Sequence, residues 1–267
     1  MTAERLTIAL GEYDTGWHEP KASLAAAARL AQRAAAVGVD VVVFPEMTTT
    51  GFTMDTARAV PVDSPDIAAL RRIASQNQIW VIAGVALEED PSGTHATNAA
   101  LAIGPDGEIE AVHRKQKLFA YAGEERSYVA GGESTTIAIR GVRIGLFICY
   151  ELRFSEVFAS AVDIDAAVVI ANWPAARTEH WDALLRARAI EFQCYALGVN
   201  RTGVANGLAY SGGSTAFDPW GNRLTPATPN GTRVVGIDAN RVAEVRQAYP
   251  FLRDRADTNR FVTSAGA

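Results

Sequence analysis

The chain is poor in the residues that bind metals or form crosslinks. It has 267 residues but only two cysteines, Cys149 and Cys194, and four histidines, with neither a CxxC nor an HExxH pattern. Two thiols cannot staple a disulfide scaffold, so a reducing cytoplasm is the expected compartment. No metal site is expected. No apolar run is long enough to span a bilayer, and residues 1–6 lack a signal-peptide pattern, so no membrane partner is expected. The formal charge is −5 and no Lys/Arg run occurs, which argues against nucleic acid as the main partner. There is no Pro/Ser-rich linker, no internal repeat and no low-complexity block. The hydrophobic fraction of 48% supports a sizeable core. One domain over residues 1–267 is therefore expected.

Short apolar runs alternate with amphipathic segments. Residues 6–10, 41–45, 80–87, 166–171, 196–200 and 233–237 read as strands. Residues 99–103 and 108–113 read as a hairpin about Pro105-Asp-Gly107, and residues 135–139 and 142–148 as another about Arg140-Gly141. Residues 214–218, followed by Pro219-Trp-Gly221, read as a further hairpin arm. Helices are predicted at 22–37, 66–76, 179–194 and 240–249, the first with Leu24, Ala28, Ala31 and Ala35 on one face. A polar tail follows. Strands, helices and hairpins in this mixture predict an α/β fold of two mixed sheets packed together with outer helices.

The segment Arg143-Ile-Gly-Leu-Phe-Ile-Cys149-Tyr-Glu-Leu-Arg-Phe-Ser-Glu156 changes character at Cys149. The apolar run before it suits a strand buried on both faces, and the residues after it suit a turn opening a helix. A thiol at such a strand end sits where open α/β sheets place ligands. Near a helix N-terminus and beside a cation it ionises more easily; a buried core cysteine is the plainer reading. Glu46 directly follows the apolar strand Val41-Val-Val-Phe-Pro45. Desolvation there raises a carboxyl pKa and suits a general base, whereas a solvated loop glutamate is the alternative. Lys115 lies in the basic stretch His113-Arg-Lys-Gln-Lys-Leu-Phe119, where a lysine can stabilise a thiolate or an oxyanion, or form part of a solvated turn. Glu124 and Glu125 lie in a Glu-Glu-Arg run of the kind usually found in solvated loops. No histidine stands out as a base.

Phe44-Pro-Glu46, Arg114-Lys115-x-x-Leu118 and Ile148-Cys149-Tyr-x-Leu-Arg-Phe154 occur in that order. Together they resemble the Glu-Lys-Cys signature of the nitrilase superfamily of carbon–nitrogen hydrolases. The resemblance extends to Leu184-Leu-Arg-Ala-Arg-Ala-Ile-Glu191, Tyr210-Ser-Gly-Gly-Ser-Thr-x-x-Asp218-Pro-x-Gly221 and Tyr249-Pro-Phe-Leu-x-Asp254. It implies a four-layer α-β-β-α sandwich, homodimers or higher homo-oligomers formed through the outer helices, and no metal or organic cofactor. It also implies Glu46 as general base, Lys115 as oxyanion donor, Cys149 as nucleophile and Glu124 as the second glutamate. The N–H of Tyr150 would complete the oxyanion site. Met47-Thr-Thr-Thr-Gly-Phe-Thr-Met54, Asn172-Trp-Pro174 and the Tyr210 segment look most like the ω-amidase branch, which deamidates small 2-oxo acid amides such as 2-oxoglutaramate and 2-oxosuccinamate. The chain departs from the family pattern at Lys117, where histidine is usual, at Glu151, where aspartate is usual, and at Ser155, where proline is usual. Lys117 rivals Lys115, though the spacing to Leu118 favours Lys115.

A small carboxylate-bearing amide is thus the expected partner. It needs a cation in the pocket, and Arg153 can supply one unless it pairs with Glu156. Asn172 and Trp173 are also expected at the substrate, with Trp173 alternatively in the core. Arg188 and Glu191 can pair on one helix, and Cys194 reads as a buried structural thiol. A nitrilase or N-carbamoyl hydrolase would use the same triad, and a non-catalytic binding protein would use the fold alone.

Overall fold

The computed structural model describes residues 5–90, 95–161, 163–224, 226–228 and 231–260, and the side chains up to residue 255. The expectations about residues 1–4 and about the end of the polar tail, 261–267, lie outside the described residues. In chain order the elements are β1 (Arg5–Leu10), α1 (Pro20–Ala36), β2 (Val41–Val43), α2 (Pro65–Asn77), β3 (Trp80–Glu88), β4 (Ala96–Ile103), β5 (Ile109–Arg114), α3 (Glu124–Ser127), β6 (Thr135–Ile139) and β7 (Val142–Ile148). They continue with α4 (Ser155–Ala159), β8 (Ala166–Ala171), α5 (Thr178–Phe192), β9 (Tyr195–Asn200), β10 (Thr202–Ala205), β11 (Leu208–Ser211), β12 (Thr215–Phe217), β13 (Arg223–Leu224), β14 (Arg233–Asp238) and α6 (Ala239–Ala248).

The strands form two six-stranded sheets, in the orders β14-β1-β2-β3-β4-β5 and β13-β12-β9-β8-β7-β6. Each has three parallel strands at its centre, β1-β2-β3 and β7-β8-β9, flanked by antiparallel ones. Alternation along the strands builds the layers. Leu6, Ile8, Leu10, Val41 and Val43 of the first sheet share one core with Ile144, Leu146, Ile148, Val168 and Ile170 of the second. The intervening residues point outward. Ala9 and Val42 meet α1 and α2, while Phe147, Ala167 and Val169 meet Trp181, Leu185 and Ala189 of α5. The result is helix, sheet, sheet, helix, as expected.

Several local expectations are corrected. The buried stripe of α1 is Ser23, Ala27, Ala31 and Ala34. The small side chains lie against the sheet, and Leu24, Ala28 and Ala35 flank them, partly buried. The strand expected over residues 41–45 pairs regularly only over Val41–Val43, because Pro45 has no N–H to give and the chain then turns. The hairpin β10-β11 was not foreseen; its short, largely exposed strands lack an alternating pattern. Phe251–Arg260 forms 3₁₀ turns where a polar tail was expected. Among the described residues no helix is long and apolar enough to cross a membrane.

Candidate active site

The site lies where both sheets end. Glu46 follows β2, Lys115 follows β5, Cys149 follows β7 and Asn172 follows β8. Two local features set the geometry. Glu46 is succeeded by Met47 at φ +44°, and Cys149 itself has φ +47°. Both are non-glycine residues in the left-handed region, a conformation that a structure must hold in place. Gly84 on β3 makes the first turn possible. A Cβ there would lie 2.5 Å from Glu46 Cα and from Met47 N. After Cys149 the chain takes a 3₁₀ turn, Cys149–Arg153, that leads into the short α4, in line with the expected turn opening a helix.

Glu46, Lys115 and Glu124 are fully buried. Lys115 Nζ donates to Glu46 Oε1 at 2.9 Å and to Glu124 Oε2 at 2.9 Å. Asn98 Nδ2 donates to both carboxylates, each at 2.7 Å. The Phe119 N–H donates to Glu124 Oε2 at 2.6 Å. Asn172 grips Glu46 three times, its backbone N–H reaching Oε2 at 2.9 Å and its side-chain Nδ2 reaching the backbone oxygen at 2.7 Å and Oε2 at 3.3 Å. Cys149 Sγ lies 4.0 Å from the Asn172 carbonyl oxygen.

These contacts decide the protonation states and correct two expectations. Burial pushes the Glu46 carboxyl up, but the Lys115 ammonium and hydrogen bonds from Lys115, Asn98 and the Asn172 N–H outweigh it. The carboxyl sits below its ordinary value rather than above it. Burial pushes the Lys115 ammonium down, yet Glu124 and Glu46 hold it firmly protonated. The cation beside the thiol does not prevail. Desolvation and then Glu46 push Cys149 well above the ordinary thiol value, and Lys115 offsets only part of this. The resting group is a neutral thiol facing an ionised carboxylate, a pair set to pass a proton when an electrophile arrives.

Above the thiol is a cavity of about 370 Å³, lined among others by Lys115, Cys149, Tyr150, Arg153, Asn172 and Trp173. Phe52, Phe119 and Tyr210 give it apolar walls, and Arg177 adds a second guanidinium. Arg153 does not pair with Glu156. Lys117 takes that carboxylate at 3.3 Å and so stands apart from the buried cluster. Arg153 instead lies over the Trp173 ring at 4.9 Å and Arg177 over Phe119 at 5.7 Å. Neither arginine meets a carboxylate among the described residues. Trp173 is both wall and core, 3% exposed and packed on Trp181. Asn172 holds Glu46 as well as lining the cavity. Glu125 is exposed beside Arg126, Arg188 pairs with Glu191 at 2.7 Å, and Cys194 is buried.

The family model for carbon–nitrogen hydrolase matches residues 7–247. The chain belongs to this family. As a carbon–nitrogen hydrolase it acts on carbon–nitrogen bonds other than peptide bonds. It is 40% identical over 228 residues to an omega-amidase (YafV) of Yersinia enterocolitica, covering 84% of this chain and 86% of that protein. It is 29% identical to a 2-oxoglutaramate amidase of Bacillus subtilis, covering 93% of this chain and 96% of that one. A crystal structure of a superfamily member from Xanthomonas campestris (XC1258), which carries an arsenic adduct in its active site, superposes with a TM-score of 0.85. That protein is 32% identical, with 94% of this chain and 97% of the other covered.

Three residues of this hydrolase's site escaped the sequence reading. Asn98 was missed because the strand was started at residue 99. The observed β4 begins at Ala96 and buries every residue, and an amide inside such a run is itself a signal of a polar task. Arg177 lies in a turn whose direction only the fold sets. His113, fully buried, faces Glu151 behind the thiol. Among the described residues, no group of three or more His, Cys, Asp or Glu side chains can hold a metal ion.

Proposed function

We propose that the protein is an amidase for small carboxylate-bearing amides, of the ω-amidase kind, with 2-oxoglutaramate or 2-oxosuccinamate as the substrate type. The observation that carries this reading is one cavity holding the Cys149 thiol beside the buried Glu46–Lys115–Glu124 cluster, with Arg153 and Arg177 on its wall and paired with no carboxylate among the described residues. In this reading the amide carbonyl lies against Cys149, and Glu46 takes the thiol proton as sulfur attacks. Lys115 Nζ and the Tyr150 N–H receive the oxyanion. Glu46 returns the proton to the departing nitrogen, which leaves as ammonia. Water, deprotonated by Glu46, then opens the thioester to the carboxylic acid and frees the thiol. Glu124 holds the Lys115 ammonium in place throughout. The guanidiniums of Arg153 and Arg177 bind the substrate's distal carboxylate, and the Phe119 and Trp173 rings beneath them hold the planes. The names of the omega-amidase and 2-oxoglutaramate amidase relatives support the same substrate class.

The test is ammonia release from 2-oxoglutaramate, 2-oxosuccinamate, glutamine, an aliphatic amide, an aliphatic nitrile and an N-carbamoyl amino acid, with wild type and Cys149→Ala. Release confined to the 2-oxo amides and abolished in Cys149→Ala is expected. Arg153→Ala and Arg177→Ala should each raise KM for them by about 10-fold or more, since a charge-assisted hydrogen bond contributes about 1.5–3 kcal/mol. Equal turnover of the neutral aliphatic amide would remove the carboxylate from the reading. Release only from the nitrile or the carbamoyl compound would replace the substrate class.

A further inference from the structure

The site is split between the two sheets: Glu46 and Lys115 extend from the first, Cys149 from the second. The core between them is apolar, and apolar contact does not fix how one sheet slides over the other. Something directional must set the thiol against the lysine. Behind Cys149, away from the cavity, Glu151 and His113 are both fully buried. Glu151 Oε2 accepts the N–H of Ile148, the residue before the thiol, at 2.6 Å. Its Oε1 accepts the N–H of Gln116, the residue after the lysine, at 2.7 Å. His113, two residues before Lys115 on β5, donates from Nε2 to Oε2 at 3.0 Å.

We propose that Glu151 and His113 are a strap between the sheets that positions the Cys149 elbow against Lys115. They are positioning residues and touch no substrate. One carboxylate joins the backbone on either side of the two reacting groups, and the imidazole fixes that carboxylate's rotamer. The strap also holds the left-handed Cys149 in a conformation that it would not keep unaided. Glu151, one of the departures from the family pattern, thereby has a task. The proposal rests on Cys149 being the nucleophile, but not on which amide is the substrate.

The experiment compares wild type, Glu151→Gln, His113→Leu and His113→Gln. Each is followed by kcat and KM on the amide that wild type turns over, and by the rate of Cys149 alkylation with iodoacetamide, read by intact mass. Labelling that is absent in Cys149→Ala checks the nucleophile separately. A misplaced reacting group costs up to about 100-fold, so Glu151→Gln should lower kcat by about 10–100-fold with KM within about threefold. His113→Leu should lower kcat by about 10-fold, and His113→Gln, which keeps a donor, should recover most of it. Alkylation should fall in step with kcat. Folded variants within about twofold of wild type in both rates, or a His113→Gln no better than His113→Leu, overturn the strap. Should Glu151→Gln not fold, the two His113 variants decide alone.

Discussion

Replacing Lys115 with methionine removes a charge while nearly keeping the side chain's volume. Two fully buried carboxylates, Glu46 and Glu124, then share only the Asn98 amide between them. Removing one partner of a buried ion pair costs about 3–5 kcal/mol. At about 2–4 °C per kcal/mol for a chain of this size, Tm at neutral or higher pH should fall by roughly 6–20 °C. The pH dependence separates charge from packing. In wild type, Glu46 lies below its ordinary value near 4.5. Its contribution is therefore present above that value and lost as the pH falls through the depressed one. In the variant, burial and the like charge beside it hold one carboxyl above the ordinary value. Stability is then fully present below the ordinary value and lost as the pH rises through the raised one. Thermal melts of both proteins, followed by circular dichroism at about pH 5 and about pH 8, should show the variant's deficit shrinking at the lower pH. A deficit that is the same at both, or a variant melting within about 1 °C of wild type, refutes the view that the charge of Lys115 compensates the buried carboxylates.

Gly84→Ala brings a methyl group to 2.5 Å from Glu46 Cα and Met47 N, backbone atoms that cannot rotate aside. It should cost about 1–3 kcal/mol in denaturant unfolding and lower kcat with it; native values for both would show that the Glu46 turn has room to move. Glu46→Gln should stay folded by circular dichroism and lose about 10²–10⁴-fold in kcat as the base disappears. Native turnover would place the base elsewhere. Because burial and Glu46 keep the Cys149 thiol protonated, its alkylation rate should still be climbing between about pH 7 and about pH 9. A plateau by neutral pH would indicate a preformed thiolate.

Two mixed sheets with outer helices were legible in the mixture of strands, helices and hairpins, and the four-layer order followed from the family resemblance. Which face each strand residue takes was not: Val41 and Val43 enter the core between the sheets and Val42 the core under the helices, though all three are valine in the sequence. Glu46, Lys115 and Cys149 were also legible. Lys115 and Cys149 directly follow strands and Glu46 comes shortly after one, and a chemically capable residue near a strand's end is visible in one dimension. Burial was not. Lys115 and Lys117 differ by two positions in one basic stretch, yet one is fully buried between two carboxylates and the other pairs with Glu156 at the surface. The direction of each pKa shift also waited on the fold. The net field at Glu46 and Cys149 is a balance between desolvation and charges brought from distant strands, so the reading from neighbours alone reversed both signs.

The sequence by itself determined most of the strands and which reactive groups stand at or just past their ends, because periodicity and turn chemistry are local. Only the tertiary structure decided that two sheets meet with their carboxyl ends together. Packing within and between the sheets places Asn98 between Glu46 and Glu124, Glu151 across to His113, and Arg177 and Arg153 on the lining of one cavity. These contacts join residues far apart in the chain and on different elements, and nothing in local spacing encodes the direction in which a side chain will face once two sheets have packed.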